Sequence, residues 1–123
     1  MTKKEMATSF LRMAASGQVK DAYEKFIAPT FIHHNQYFKG DRESLRAAMI
    51  EAHQVSPNRS LEVKQIFEDG DTVVTHSLVV RNNPDQPSVA VVHIFRFEDD
   101  RVVELWDLGQ EIMKDSPNEN GPF

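Results

Sequence analysis

With 123 residues, 40% apolar against 27% charged, the chain has enough apolar content for one folded domain and too much charge for a membrane span. Nineteen acidic against fourteen basic residues leave a formal charge of −5, the wrong sign for a polyanion binder, so neither nucleic acid nor a membrane is expected as a partner. The lack of cysteine excludes disulfides, thiolate nucleophiles and cysteine-held clusters, and MTKKEMATSF carries no secretory signal, so a cytoplasmic location is expected.

The first half carries helical spacing. Thr2 and Glu5 stand as a capping box, Met6, Phe10 and Met13 form one apolar stripe behind them, and Gly17 ends the helix. A second helix starts near Val19, places Tyr23, Phe26 and Ile27 inward, and is expected to stop at Pro29. A third follows Gly40, capped by Asp41, with Leu45, Met49 and Ala52 along one side before Pro57. His53 is read as lying on a polar face of that helix, and no role is expected of it.

From residue 61 the period becomes two. Leu61, Val63, Gln65 and Phe67 alternate with their neighbours, Asp69-Gly70-Asp71 marks a turn, and residues 72–81 form a β-branched strand. Residues 82–87 read as a loop, 88–98 as a third strand, 98–100 as a tight turn and 101–112 as a fourth strand. The fold class is α+β: three N-terminal helices on a strongly curved antiparallel sheet, cone-shaped with an internal pocket. One domain spans 1–114, and 115–123 is a flexible C-terminal tail rich in proline and asparagine.

Side chains two apart on a strand share a face. Val89, Val91, His93, Phe95 and Phe97 therefore lie together, as do Val103, Leu105, Asp107 and Gly109. Pairing Glu98 with Arg101 puts His93 opposite Trp106, and a bulge of one residue would bring Asp107 opposite His93 instead. Val74, His76, Leu78 and Val80 share a face of the second strand, so His76 is a candidate for the same wall. An apolar setting disfavours the charged form of a carboxylate, which suits one to proton transfer near neutrality; an adjacent imidazolium acts in the opposite sense. The plainer reading of Asp107 is an ordinary strand-end carboxylate with a basic or backbone partner.

Other chemistries lack their residues. His33 and His34 are adjacent, so in an extended segment they point to opposite faces and do not readily share one ion; no metal site is expected. No glycine-rich phosphate loop and no nucleophile elbow is present among only five glycines.

The segments Phe31-Ile-His-His-Asn35, Val73-Val-Thr-His-Ser77 and the block from Val91 through Phe95-Arg96 to Trp106-Asp107 and Gln110 resemble the SnoaL-like polyketide cyclases of the nuclear transport factor 2-like superfamily. That resemblance runs from about Phe10 to Gln110. It implies a cone-shaped α+β domain, a deep apolar pocket, no cofactor and a homodimer. It also implies that Asp107 is the general acid/base of an intramolecular aldol closure, that His93 supports it, and that His34 and Asn35 stand near the pocket mouth. The family's usual histidine before Trp-Asp is Leu105 here, which makes the pocket wall more apolar at a substrate-contacting position.

The expected function is cofactor-independent acid/base chemistry on a hydrophobic carbonyl compound. Asp107 and His93 would be catalytic, and His34, Asn35, His76 and Leu105 would contact the substrate. The alternative is a non-catalytic binding protein using the same pocket. The homodimer is expected to form through the outer sheet face, with Trp106, Leu108 and Val102 in contact.

Overall fold

Thr2 and Glu5 reciprocally bond the free amides at the start of α1 (Lys3–Ala15), and Asp41 caps the N-terminus of α3 (Arg42–Val55) through the Ser44 amide. The computed structural model describes all 123 residues. α2 (Val19–Phe26) follows α1 across Gly17, which turns the chain at a φ of +92°. The strands are β1 (Ile27–His33), β2 (Asn58–Asp69), β3 (Thr72–Arg81), β4 (Val89–Glu98) and β5 (Arg101–Glu111). They form one open sheet in the order β1-β5-β4-β3-β2.

β2 to β5 make the antiparallel meander that the alternation predicts. β1 was not visible in that pattern. It adds a parallel edge strand beside β5, so the sheet is mixed. The second helix gives way to it at Phe26, before Pro29. Pro29 is tolerated because the ladder is irregular between Ile27 and Ile32, where its missing N–H leaves no ladder bond unmade.

A bulge decides which β5 side chains face inward. Phe97 pairs with Val102 and Arg96 with Glu104, so Val103 is the extra residue. From there the register brings Leu105 opposite Phe95 and Asp107 opposite His93. The bulge also turns Val102 into the core at 1% exposure, which corrects its expected place on the outer face with Trp106 and Leu108.

All three helices lie over the face that carries Phe95, Leu105 and Val73. Phe10 of α1, Tyr23 of α2 and Phe95 of β4 meet there, with Phe10 at 5.7 Å from Tyr23 and 6.2 Å from Phe95, ring centre to ring centre. Each such ring contributes roughly 1.5–3 kcal/mol by leaving water. No helix is long and apolar enough to cross a membrane.

Candidate functional site

Cross-strand pairing sets the site on the inner face. Thr75, His93 and Asp107 stand side by side on β3, β4 and β5, because Thr75 pairs with His93 and His93 with Asp107. The next inward row is Ser77, Val91 and Gly109.

Asp107 is half-buried, and its one side-chain hydrogen bond comes from Asn35, whose Nδ2 donates to Oδ2 over 3.1 Å. The orientation of that amide is determined by its surroundings. The Tyr37 N–H donates to Asn35 Oδ1 at 3.0 Å, so the oxygen faces Tyr37 and the NH2 faces Asp107. Asn35 is in turn held by His33, whose Nδ1 accepts the Asn35 backbone N–H at 3.1 Å. The His33 Nε2–H then donates to the Lys39 carbonyl at 2.7 Å. His33 is thus a buried imidazole that shapes the loop carrying Asn35.

His93 makes no hydrogen bond to Asp107. Its ring lies parallel to Phe95 at 5.8 Å, and its Nδ1 is buried without a partner. Burial pushes the imidazole down to about 4, against a smaller upward pull from the Asp107 charge, so His93 is uncharged at neutral pH. The Thr75 and Ser77 hydroxyls beside it are likewise buried and unpartnered.

Two cavities meet at Asp107 and Val91. The inner one, about 240 Å3, lies between the sheet and helices α1 and α3. Its walls include Leu11, Met49, Leu61 and Val79, and its polar lining includes His53, Asn58, His93 and Asp107. The outer one, about 550 Å3, follows the edge of β5 beyond the end of β1, between residues 34–37 and residues 106–109. Its lining includes Asn35, Tyr37 and Trp106. Nowhere do three His, Asp or Glu side chains converge closely enough to hold a metal ion.

The expected site residues separate into those brought together and those that are not. Asp107, His93 and Asn35 converge. His34 borders the outer cavity, but its ring stacks on Trp106 at 4.8 Å and its Nε2 meets Glu104 Oε2 at 2.7 Å, on the opposite side of the strand from His33. The Glu104 carboxyl is held below its usual range, chiefly by that histidine and then by Arg96 at 3.0 Å.

His76 does not join the site. It pairs with Val92 on the outer face, bonds Gln65 at 3.0 Å and lies 4.7 Å from the ring of Phe123. The odd-numbered residues of β3 face inward, so Thr75 stands where a second histidine was expected. Leu105 lines neither cavity; at 4% exposure it is core, packed beside Phe95 and Val102.

His53 is the residue that sequence reasoning passed over. Its ring lines the inner cavity with its Nδ1 buried and unpartnered. The signal was present: it stands four residues after Met49, on the same helical stripe.

An open mixed sheet with three helices over one face is the α+β fold of nuclear transport factor 2-like proteins. The chain belongs to the SnoaL-like domain family, whose model matches residues 7–105. The match ends at Leu105, so the family assignment does not depend on Asp107.

Solved structures agree in fold. An NTF-2-like protein of unknown function from Burkholderia xenovorans is 19% identical, with 92% of this chain and 86% of that one covered at a TM-score of 0.69. A provisionally assigned polyketide cyclase from Acidithiobacillus ferrooxidans is 18% identical, over 89% of this chain and 92% of that one, at 0.71. An LEH-like epoxide hydrolase from Mycobacterium tuberculosis is 15% identical, over 87% and 81%, at 0.69. No curated protein sequence matches the chain.

Proposed function

We propose that the protein is a cofactor-independent acid/base enzyme acting on a hydrophobic carbonyl compound, with Asp107 as the proton-transferring group. The observation that carries this reading is the position of Asp107: half-buried, oriented by Asn35, beside an uncharged imidazole, and reached by an apolar cavity. In the reaction, a carboxylate oxygen of Asp107 takes a proton from the carbon next to the carbonyl. The C–H electrons move to form the enolate, and the negative charge develops on oxygen.

In this reading a neutral His93 N–H donates to that oxygen. A neutral imidazole stabilises the charge by hydrogen bonding without surrendering its proton. The enolate carbon then attacks a second carbonyl, as in aldol ring closure, or recovers a proton at another position. The provisionally assigned polyketide cyclase and the LEH-like epoxide hydrolase that share this fold support a reading in small-molecule chemistry.

A simple ketone tests the proton transfer. With 1-tetralone in deuterated buffer, the protein is expected to speed deuterium incorporation next to the carbonyl, and Asp107→Asn to slow it by about 10²–10⁴-fold. Equal rates in the two proteins would remove Asp107 from the chemistry.

A second reading, binding without catalysis, is favoured by Leu105. The position where the family's histidine would stand is filled by a core leucine, so that group takes no part in any chemistry here. Saturable binding of the ketone with no exchange above buffer would select this reading.

A further inference from the structure

The inner cavity has polar groups at two ends. Its lining runs from Asp107 on β5 through His93 and Val91 on β4 and Val79 on β3 to Leu61 and Asn58 on β2. That crosses three strand spacings, or roughly 14 Å at about 4.8 Å each. At the β2 end stands His53, on the last turns of α3, just before the chain enters β2 at Asn58. Between the two ends the walls are Leu11, Ala14, Met49, Val79 and Val91.

His53 is placed firmly. A Cβ built at Gly17 would lie 2.5 Å from its Nε2, so the ring stands close against the α1–α2 turn, in space that only a glycine leaves free. Its Nδ1 is nonetheless buried and bonds to nothing in the protein. That nitrogen has no surface for a ligand to touch, whereas Nε2 also bonds to nothing in the protein and is not covered in this way, so Nε2 is the ring atom that a bound polar group in the cavity meets.

We infer that His53 is a specificity-determining residue: it binds a hydroxyl or second carbonyl at the end of the substrate remote from the reacting ketone. The inference rests on the proton-transfer reading for which end of the substrate meets Asp107. The cavity also limits size. At about 240 Å3 it holds roughly eight waters at ~30 Å3 each, which is less than a drug-sized ligand requires. The substrate class is therefore a slender one- or two-ring ketone with a distal polar group, and any larger part of the molecule lies in the outer cavity past Asp107.

Two bicyclic ketones of matched size provide the test, 6-hydroxy-1-tetralone and 6-methyl-1-tetralone, titrated calorimetrically against the whole protein. The hydroxy compound is expected to bind about five-fold tighter, the increment of one neutral hydrogen bond. His53→Leu is expected to erase that preference. His53→Gln, which keeps a hydrogen-bonding group and shows by its circular dichroism whether the fold survives change here, is expected to retain part of it.

Equal affinities in the native protein, a preference that persists in His53→Leu, or no saturable binding of either ketone overturns the inference. Deuterium exchange measured in the same samples separates the two claims. A preference that depends on His53 without any exchange supports the role of His53 and overturns only the enzymatic reading.

Discussion

Asn35 and Asp107 are joined by a 3.1 Å hydrogen bond that ties the loop after β1 to the inner face of β5. The amide can only donate in this direction, so Asp107 is held as an acceptor with its second oxygen free for a substrate proton. Asn35→Ala should therefore act through position. The expected loss is about ten- to a hundred-fold in the exchange rate at saturating ketone, with a smaller change in apparent affinity. In the Asn35→Ala/Asp107→Asn double variant the two effects should not add, because Asn35 then has no proton-transferring group to orient. Full additivity in that cycle would make Asn35 a structural residue unconnected with Asp107.

His93 gives stability a pH dependence whose sign follows from burial. Its folded-state value, about 4, lies below the ordinary 6.5, so the unfolded chain binds a proton that the folded one refuses. Stability is complete above about 6.5 and declines as pH falls toward 4. At pH 5 the loss is at most about 2 kcal/mol, less once solvent reaching the half-buried ring is allowed for. Glu104, Asp41 and Glu43 are shifted the other way, below their carboxylate reference values, so their contributions are lost only under more acidic conditions. Urea unfolding at pH 7 and pH 5 should therefore show a difference that His93→Phe removes.

Much of this arrangement was legible in the sequence because it rests on short-range signals. Capping residues fixed the starts of α1 and α3, and period-two alternation fixed β2 to β5. The alignment of His93 with Asp107 needed one more fact, whether a bulge falls near the hairpin turn, and that depends on how Phe97 and Val102 pack rather than on local spacing. β1 escaped notice because residues 27–33 contain a proline and show no alternation; only pairing with β5, far along the chain, makes them a strand. The same limit misplaced His76. Alternation states which residues share a face but not which face meets the helices, and that choice was made by the pairing of Thr75 with His93.

Leu105 offers a direct test of whether the family's usual histidine could simply be restored. Leu105→His would place an imidazole in the core among Phe95, Val102 and Phe31, away from both cavities. A polar group buried there without a partner costs about 1–3 kcal/mol. The expected outcome is lower stability in urea, with no increase in ketone exchange. A gain in exchange would mean that the side chain at this position reaches the substrate after all.

Gly17 links backbone geometry to the far end of the inner cavity. Its φ of +92° is one that a residue with a Cβ adopts only under strain, and the added carbon would meet the His53 ring at 2.5 Å from Nε2 and 2.7 Å from Cδ2. Gly17→Ala is therefore expected to lower stability by about 1–3 kcal/mol from backbone strain, with a further loss from the clash. Relief of the clash requires His53 to swing away from α1. The variant should then lose the preference for the hydroxy ketone as His53→Leu does, although the imidazole is still present. If Gly17→Ala is destabilised as expected but keeps the full preference, then His53 binds from a position that the turn does not control.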